Sequence, residues 1–444
     1  MEQTLKLNAF PKVKRKPVSR RERWAWYFYD FGNSAYAAVV LLAVYSAYFK
    51  TAVVGGPMGV RLWGISIGIA MLITAVISPV LGALADFSAS KKRFLMIFSG
   101  IAVVFTAMLF FVQKGDILTG MIFFILAEIG YRGGQVFYNA LLPDIAEPEE
   151  MGRVSGNGWA FGSLGGITCL VVVLAMITLI KDPVIIRISF LITAVFYAAS
   201  AAPLFLYVKE LSKPQSMPAG ETFISVAFKK IASTWKSAGN YKQFILFAVA
   251  FLVFNNAIMM TMDFAGIIGA TLFGMNQQQL IIFMMIVQVT SVAGAFGFGK
   301  LTARLSSKRA LILSILGMIV ACGLIVVVDS LTTFYLVGAL AGFALTGVQS
   351  VSRTAVGEMA PAEKSAEFFG IQSLAQQISA FTGPLIYGNL VATLANMRVR
   401  SGWDPILAEQ AGMRGSVIAM VAFLIAGLVV LLFVRNWRRK PAVE

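Results

Sequence analysis

The sequence predicts an all-α membrane protein, with twelve transmembrane helices in two pseudo-symmetric six-helix bundles. Three observations carry this. The chain has 444 residues, 58% hydrophobic and 13% charged, about half the charged fraction of an ordinary soluble domain. Apolar runs of about 20 residues recur along it, the length at which a helix crosses a bilayer. The second half also repeats the polar punctuation of the first. Asp144, Ala146, Glu149 and Gly156 map at one offset onto Glu358, Ala360, Glu363 and Gly370, and Gln135 onto Gln349.

Composition excludes several chemistries. There is no histidine, so proton coupling falls to carboxylates, tyrosines or lysines. The two cysteines, Cys169 and Cys322, lie inside apolar runs. They read as packing residues rather than a disulfide or metal ligands. No metal site, cofactor or enzymatic nucleophile–base pair is expected. The net charge of +16 reads as positive-inside bias rather than nucleic-acid binding.

Residues 1–23 form a basic tail, with Lys12, Lys14, Arg15, Lys16, Arg20, Arg21 and Arg23. No apolar segment precedes a cleavage site, so a signal peptide is not expected. The tail either touches anionic lipid or is a solvated topogenic run. Spans are expected at 25–49, 61–85, 94–113, 117–141, 154–180 and 184–208 in a first bundle, 24–208. The second bundle, 243–435, has them at 243–272, 278–302, 310–329, 331–356, 367–395 and 414–435, before a short tail at 436–444. Residues 397–413 read as the longest external loop. Most Lys and Arg fall on the side of the two termini, which predicts both in the cytoplasm. Compact loops and the absence of an Asn-x-Ser/Thr acceptor fit a bacterial inner membrane. In the linker, 209–242, Pro214, Pro218 and Gly220 end the sixth span. Ile224, Phe228, Ile231 and Trp235 then share one helical face, with Lys229, Lys230 and Lys236 off it. That pattern suits a helix lying on the membrane surface.

The candidate chemistry sits in polar faces of apolar helices. In the fourth span Glu128, Tyr131, Arg132, Gln135 and Asn139 make one stripe. Glu128 and Arg132 stand at i, i+4, in the order that favours pairing. An unpaired charge at that depth costs several kcal/mol, so the stripe must face protein or water. The tenth span has the matching Thr346, Gln349, Ser350 and Arg353, and the eleventh adds Gln372, Gln376 and Ser379. In the first span Asp30 lies near the positive helix end, on a face with Asn33. Asn256 echoes Asn33 in the seventh span, and Asp263 follows on the same face. Gln288 reads as a lone packing hydrogen bond. A latch is expected where the second span ends, from Gly82 and Asp86 to Lys91, Lys92 and Arg93, repeated as Gly299 to Lys308 and Arg309. Asp144 and Glu358 belong to the same machinery. Glycines at helical spacing, such as Gly158, Gly162 and Gly166, permit close helix contact and are not phosphate loops.

Together these motifs resemble a known family. Tyr29-Asp30-Phe31-Gly32-Asn33-Ser34-Ala35, the Gly82–Asp86–Lys91 loop and Tyr138-Asn139-Ala140-Leu141-Leu142-Pro143 are its marks. So are Gly347-Val348-Gln349-Ser350-Val351-Ser352-Arg353, Glu367-Phe368-Phe369-Gly370 and Gly383-Pro384-Leu385. The chain is similar to the vacuole-effluxer-like branch of the major facilitator superfamily, which includes a fungal vacuolar amino-acid effluxer. Where that family often has an Asn-Asp-Gly-like turn, this chain has Asn255-Asn256-Ala257. The resemblance implies the major facilitator fold: two bundles rocking about a midplane site.

The expected function is secondary active transport of a small solute, as proton-coupled export of amino acids or similar zwitterions, by a monomer in contact with membrane lipid. A zwitterion needs a cationic and an anionic partner, which Arg132 with Glu128, or Arg353 with Asp30, supply. Glu128, Asp30 and Asp263 are the candidate proton carriers. One alternative keeps the fold and moves a lipid or amphipathic drug. Another is a receptor or scaffold that moves nothing.

Overall fold

Helix boundaries follow capping and turn chemistry. In a computed structural model, residues 19–88, 90–146, 150–180, 182–210, 220–226, 241–361 and 364–435 are described. The basic stretch 1–18 and most of the expected surface helix, including Phe228, Ile231 and Trp235, lie outside them. Among the described residues, twelve helices are long and apolar enough to cross a membrane. They are α1 (Arg20–Val54), α2 (Gly56–Phe87), α3 (Lys91–Phe111), α4 (Ile117–Ala140), α5 (Met151–Leu179) and α6 (Val184–Tyr207). Then follow α7 (Lys242–Leu272), α8 (Gln277–Arg304), α9 (Ser307–Val327), α10 (Leu331–Met359), α11 (Ser365–Arg400) and α12 (Pro405–Phe433).

Ser19 opens α1 and Asn276 opens α8, each in a reciprocal capping box, with Glu22 and Gln279. Gly55, with φ 82°, breaks the chain between α1 and α2. The first helix is not uniform: Ala37–Ala43 and Phe49–Val54 are wound as π-helix. Such segments are rare and concentrate at functional sites.

One expected boundary is wrong. The external loop at 397–413 is instead mostly helix. α11 runs to Arg400 and α12 starts at Pro405, capped by Asp404. The stretch 405–413, with Glu409, is more polar than the apolar run that follows from 414. Glu409 and Arg414 are both neutralised by distant partners. Arg414 donates to the Val326 and Val328 carbonyls and pairs with Asp329 at 2.5 Å. Glu409 pairs with Lys50.

Within the first half α1 packs on α5 and α6, and α4 on α3; within the second, α7 packs on α11 and α12, and α10 on α8 and α9. Across the seam α2 meets α11, α5 meets α8 and α1 meets α7. Glycine makes the closest crossings possible. A Cβ on Gly64 would stand 2.4 Å from the Pro384 carbonyl oxygen, and one on Gly266 would stand 2.6 Å from that of Leu42. Both cysteines are buried and free, as packing residues would be. Cys169 lies 3.8 Å from the Thr193 hydroxyl and Cys322 3.7 Å from that of Thr261.

Candidate functional site between the halves

A cavity of about 310 Å³ lies on the seam, walled by α1, α4 and α5 of the first half and α7 to α10 of the second. Its wall is largely apolar, with Met262, Phe283, Met284 and Phe334, and its polar groups are small: Ser34, Ser163, Thr261, Ser291 and Thr346. Gln288 also lines it. Its Nε2 is buried without a hydrogen-bond partner among the described residues. It is therefore not the satisfied packing amide expected from sequence.

Tyr131 joins this cavity to the buried charges. Its ring lies 4.8 Å from that of Tyr36, and the Arg132 guanidinium sits 5.1 Å above it. Glu128 is fully buried. Its Oε1 accepts from Arg132 Nε at 2.7 Å and its Oε2 from the Tyr36 hydroxyl at 3.0 Å. The terminal nitrogens of Arg132 make no hydrogen bond among the described residues, although its side chain is 36% exposed. Asp263, on α7 of the other half, feels the charges of Arg132 and Glu128. Its carboxylate has no direct partner among the described residues. One guanidinium is therefore bound to a carboxylate on its own helix and acts electrostatically on a second one across the seam.

On the face away from the chain ends the halves are tied together. Lys50 and Glu409, both nearly buried, approach to 2.8 Å in a geometry too far off line for a good hydrogen bond. The Trp63 indole donates to the Asp263 carbonyl at 2.9 Å, Gln277 to the Ala43 carbonyl at 2.8 Å, and Gln278 meets Thr178 at 3.4 Å.

On the face bearing the chain ends, each half carries a version of one device. Lys91 pairs with the buried Asp144 at 3.3 Å, while Lys92 donates to the Phe205 and Val208 carbonyls that end α6. In the second half Ser307 donates to Glu358, and Lys308 caps α12 through the Leu432 and Val434 carbonyls. The true correspondence is thus Lys92 with Lys308 and Lys91 with Ser307, one residue away from the sequence alignment of Lys91 with Lys308. Asp86 is half-buried at the end of α2, and Gly82 has open space where a Cβ would go.

A profile for the family described as vacuole effluxer Atg22-like matches residues 63–401. The chain belongs to that family. This Atg22-like chain is 26% identical over 421 residues to the uncharacterized MFS-type transporter YxiO of Bacillus subtilis, covering 92% of this chain and 94% of that one. It is 20% identical to autophagy-related protein 22 of Coccidioides immitis, over 90% and 87% of the two chains. Among solved structures, a bacterial homologue of the human lysosomal transporter Spinster, inward-facing and unoccupied, superposes with a TM-score of 0.72 at 16% identity, covering 96% and 100%. A mutant of the nucleoside transporter NupG superposes at 0.71 and 14%, covering 94% and 99%. The Atg22-like chain is an integral membrane transporter of the major facilitator type.

The remaining sequence candidates of this Atg22-like protein fall elsewhere. Asn33 is buried, accepts from the Tyr197 hydroxyl at 3.0 Å and supports Asp30. Asp30 itself packs against α5 at Gly162. Asn256 accepts from Thr382 at 2.7 Å and Gln349 donates to Asn255 at 3.1 Å, both inside the second half. Gln372 is buried and Gln376 half-buried, on a helix that does not line the cavity, and Gln135, Asn139 and Arg353 do not line it either. Arg353 and Asp30 make no mutual ion pair among the described residues. Apart from Thr346, the small polar lining is not distinctive in the sequence, because such side chains look ordinary in a helix. Thr261, for example, donates to its own helix at Ala257. The glycine crossing of α5 against α8 at Gly166 and Gln288 was the available signal.

Proposed function

We propose that the protein exports amino acids or similar zwitterions, coupled to protons, by alternating exposure of the seam cavity. One observation carries this reading: the paired Glu128 and Arg132 and the unpaired Asp263 flank the cavity-lining Tyr131 and Met262 in sequence, on opposite halves. The free terminal nitrogens of Arg132 suit a substrate carboxylate, which guanidinium binds bidentately. Asp263 suits the ammonium. A proton on Glu128 releases Arg132 from its own helix, so the Glu128 carboxylate and the substrate carboxylate compete for one cation and protonation decides between them. Because Asp263 belongs to the other half, recruiting it also biases how the halves sit. The Lys and Arg of the terminal face support a cytoplasmic placement of that face, in a bacterial inner membrane.

The test is flux in proteoliposomes across a panel of solutes, with and without a pH gradient. Glu128→Gln is expected to fold and to lose the pH response. Unchanged pH-dependent flux would remove Glu128 from the mechanism. The apolar wall favours a second reading, an amphipathic cargo. Thermal-shift screening separates the two, since the right class raises the melting temperature of the purified protein.

A further inference from the structure

A second concavity, of about 320 Å³, lies on the outer flank of the first half, between α3 and α6. Met96, Gly100 and Val103 form one wall, and Ala198, Ala202 and Leu206 the other. Ser99, on its floor, is the one hydroxyl-bearing side chain lining it. That hydroxyl already meets the Tyr29 hydroxyl at 2.8 Å, so the concavity makes no polar demand and suits hydrocarbon. In a membrane-spanning chain this flank faces lipid, and the groove is of a kind that suits an acyl chain.

The end of this groove nearest the chain termini is basic. Arg93 is exposed three residues before Met96, hence on the same helical face. Lys209 is exposed just beyond Leu206. The Arg21 guanidinium lies 3.9 Å over the ring of Tyr207, at the end of α6. The neighbouring carboxylate, Glu210, accepts from the backbone amides of Lys91 and Lys92 and is occupied there. We infer that this groove is a binding site for an anionic phospholipid, one acyl chain between α3 and α6 and the phosphate among Arg93, Lys209 and Arg21. Basic residues at a membrane surface attract acidic headgroups in this way.

The full-length protein is to be released from vesicles of equal phosphatidylglycerol and phosphatidylcholine, and its retained lipid counted by native mass spectrometry. Gly100→Leu projects into the groove, because a Cβ there meets nothing within 4 Å. Ala202→Leu does the same from the exposed opposite wall. The wild type is expected to retain phosphatidylglycerol selectively. Arg93→Gln with Lys209→Gln is expected to lower that selectivity roughly fivefold per residue while keeping a lipid bound. Either groove-filling variant is expected to lose lipid whatever its headgroup. The proposal is overturned if both groove-filling variants keep wild-type retention, if inorganic phosphate displaces the lipid, or if the flank proves to be covered by a second copy of the chain.

Discussion

The two halves share a plan and differ in charge. On α4 the first half holds a carboxylate–guanidinium pair, whereas on α10 the second holds an uncharged amide, Gln349, which donates to Asn255 of α7. Where the first half has Lys91 on Asp144, the second has Ser307 on Glu358. Conversely, the second half supplies most of the apolar cavity wall. Ionisable chemistry is thus concentrated in one bundle and shape in the other, with Asp263 and Glu409 as second-bundle carboxylates that face across. Such a division lets a proton act on one side of the seam while the cargo is fitted by the other.

The sharpest way to break this contrast is at α4 and α10. Glu128→Gln is expected to lower proton-driven flux by on the order of tenfold or more, whereas Gln349→Leu changes it by less than about threefold. Comparable losses in proteoliposome assays would mean that the halves share the chemistry. Next come the terminal-face devices, read by thermal and denaturant unfolding in detergent. Lys91→Met removes a charged partner of the buried Asp144 carboxylate and is expected to destabilise by up to about 3–5 kcal/mol. Ser307→Ala removes one hydrogen bond to a carboxylate, worth about 1.5–3 kcal/mol. Lys50→Met is expected to free the opposite face, so that cysteines placed at Thr178 and Gln278 cross-link several-fold more slowly, by the loss of roughly 1 kcal/mol of closure. The smallest effect sharpens the contrast by its symmetry. Lys92→Met and Lys308→Met each uncap a helix end and are expected to cost about 1 kcal/mol alike.

Much of this was legible in the sequence. Apolar length alone located the spans, because hydrocarbon thickness is a hard constraint. The α4 stripe stood out because charge is costly at that depth. What stayed hidden depended on distant partners. Lys50 lies just past the expected first span and Glu409 within the expected external loop, and each is held in the membrane protein by the other. Gln288 looked like packing because nothing local shows whether an amide finds a partner. The cavity lining carries almost no signal, since Ser163, Thr261 and Thr346 satisfy themselves on their own helices.

The π-wound stretch of α1 has a mechanical consequence. The helix touches Glu128 through Tyr36 below that stretch and Glu409 through Lys50 above it. Tightening Ala37–Ala43 to α geometry would rotate the upper segment against the lower. Torque applied at the carboxylate would then reach the ion pair on the opposite face through a single rod, with no relay of side chains between them.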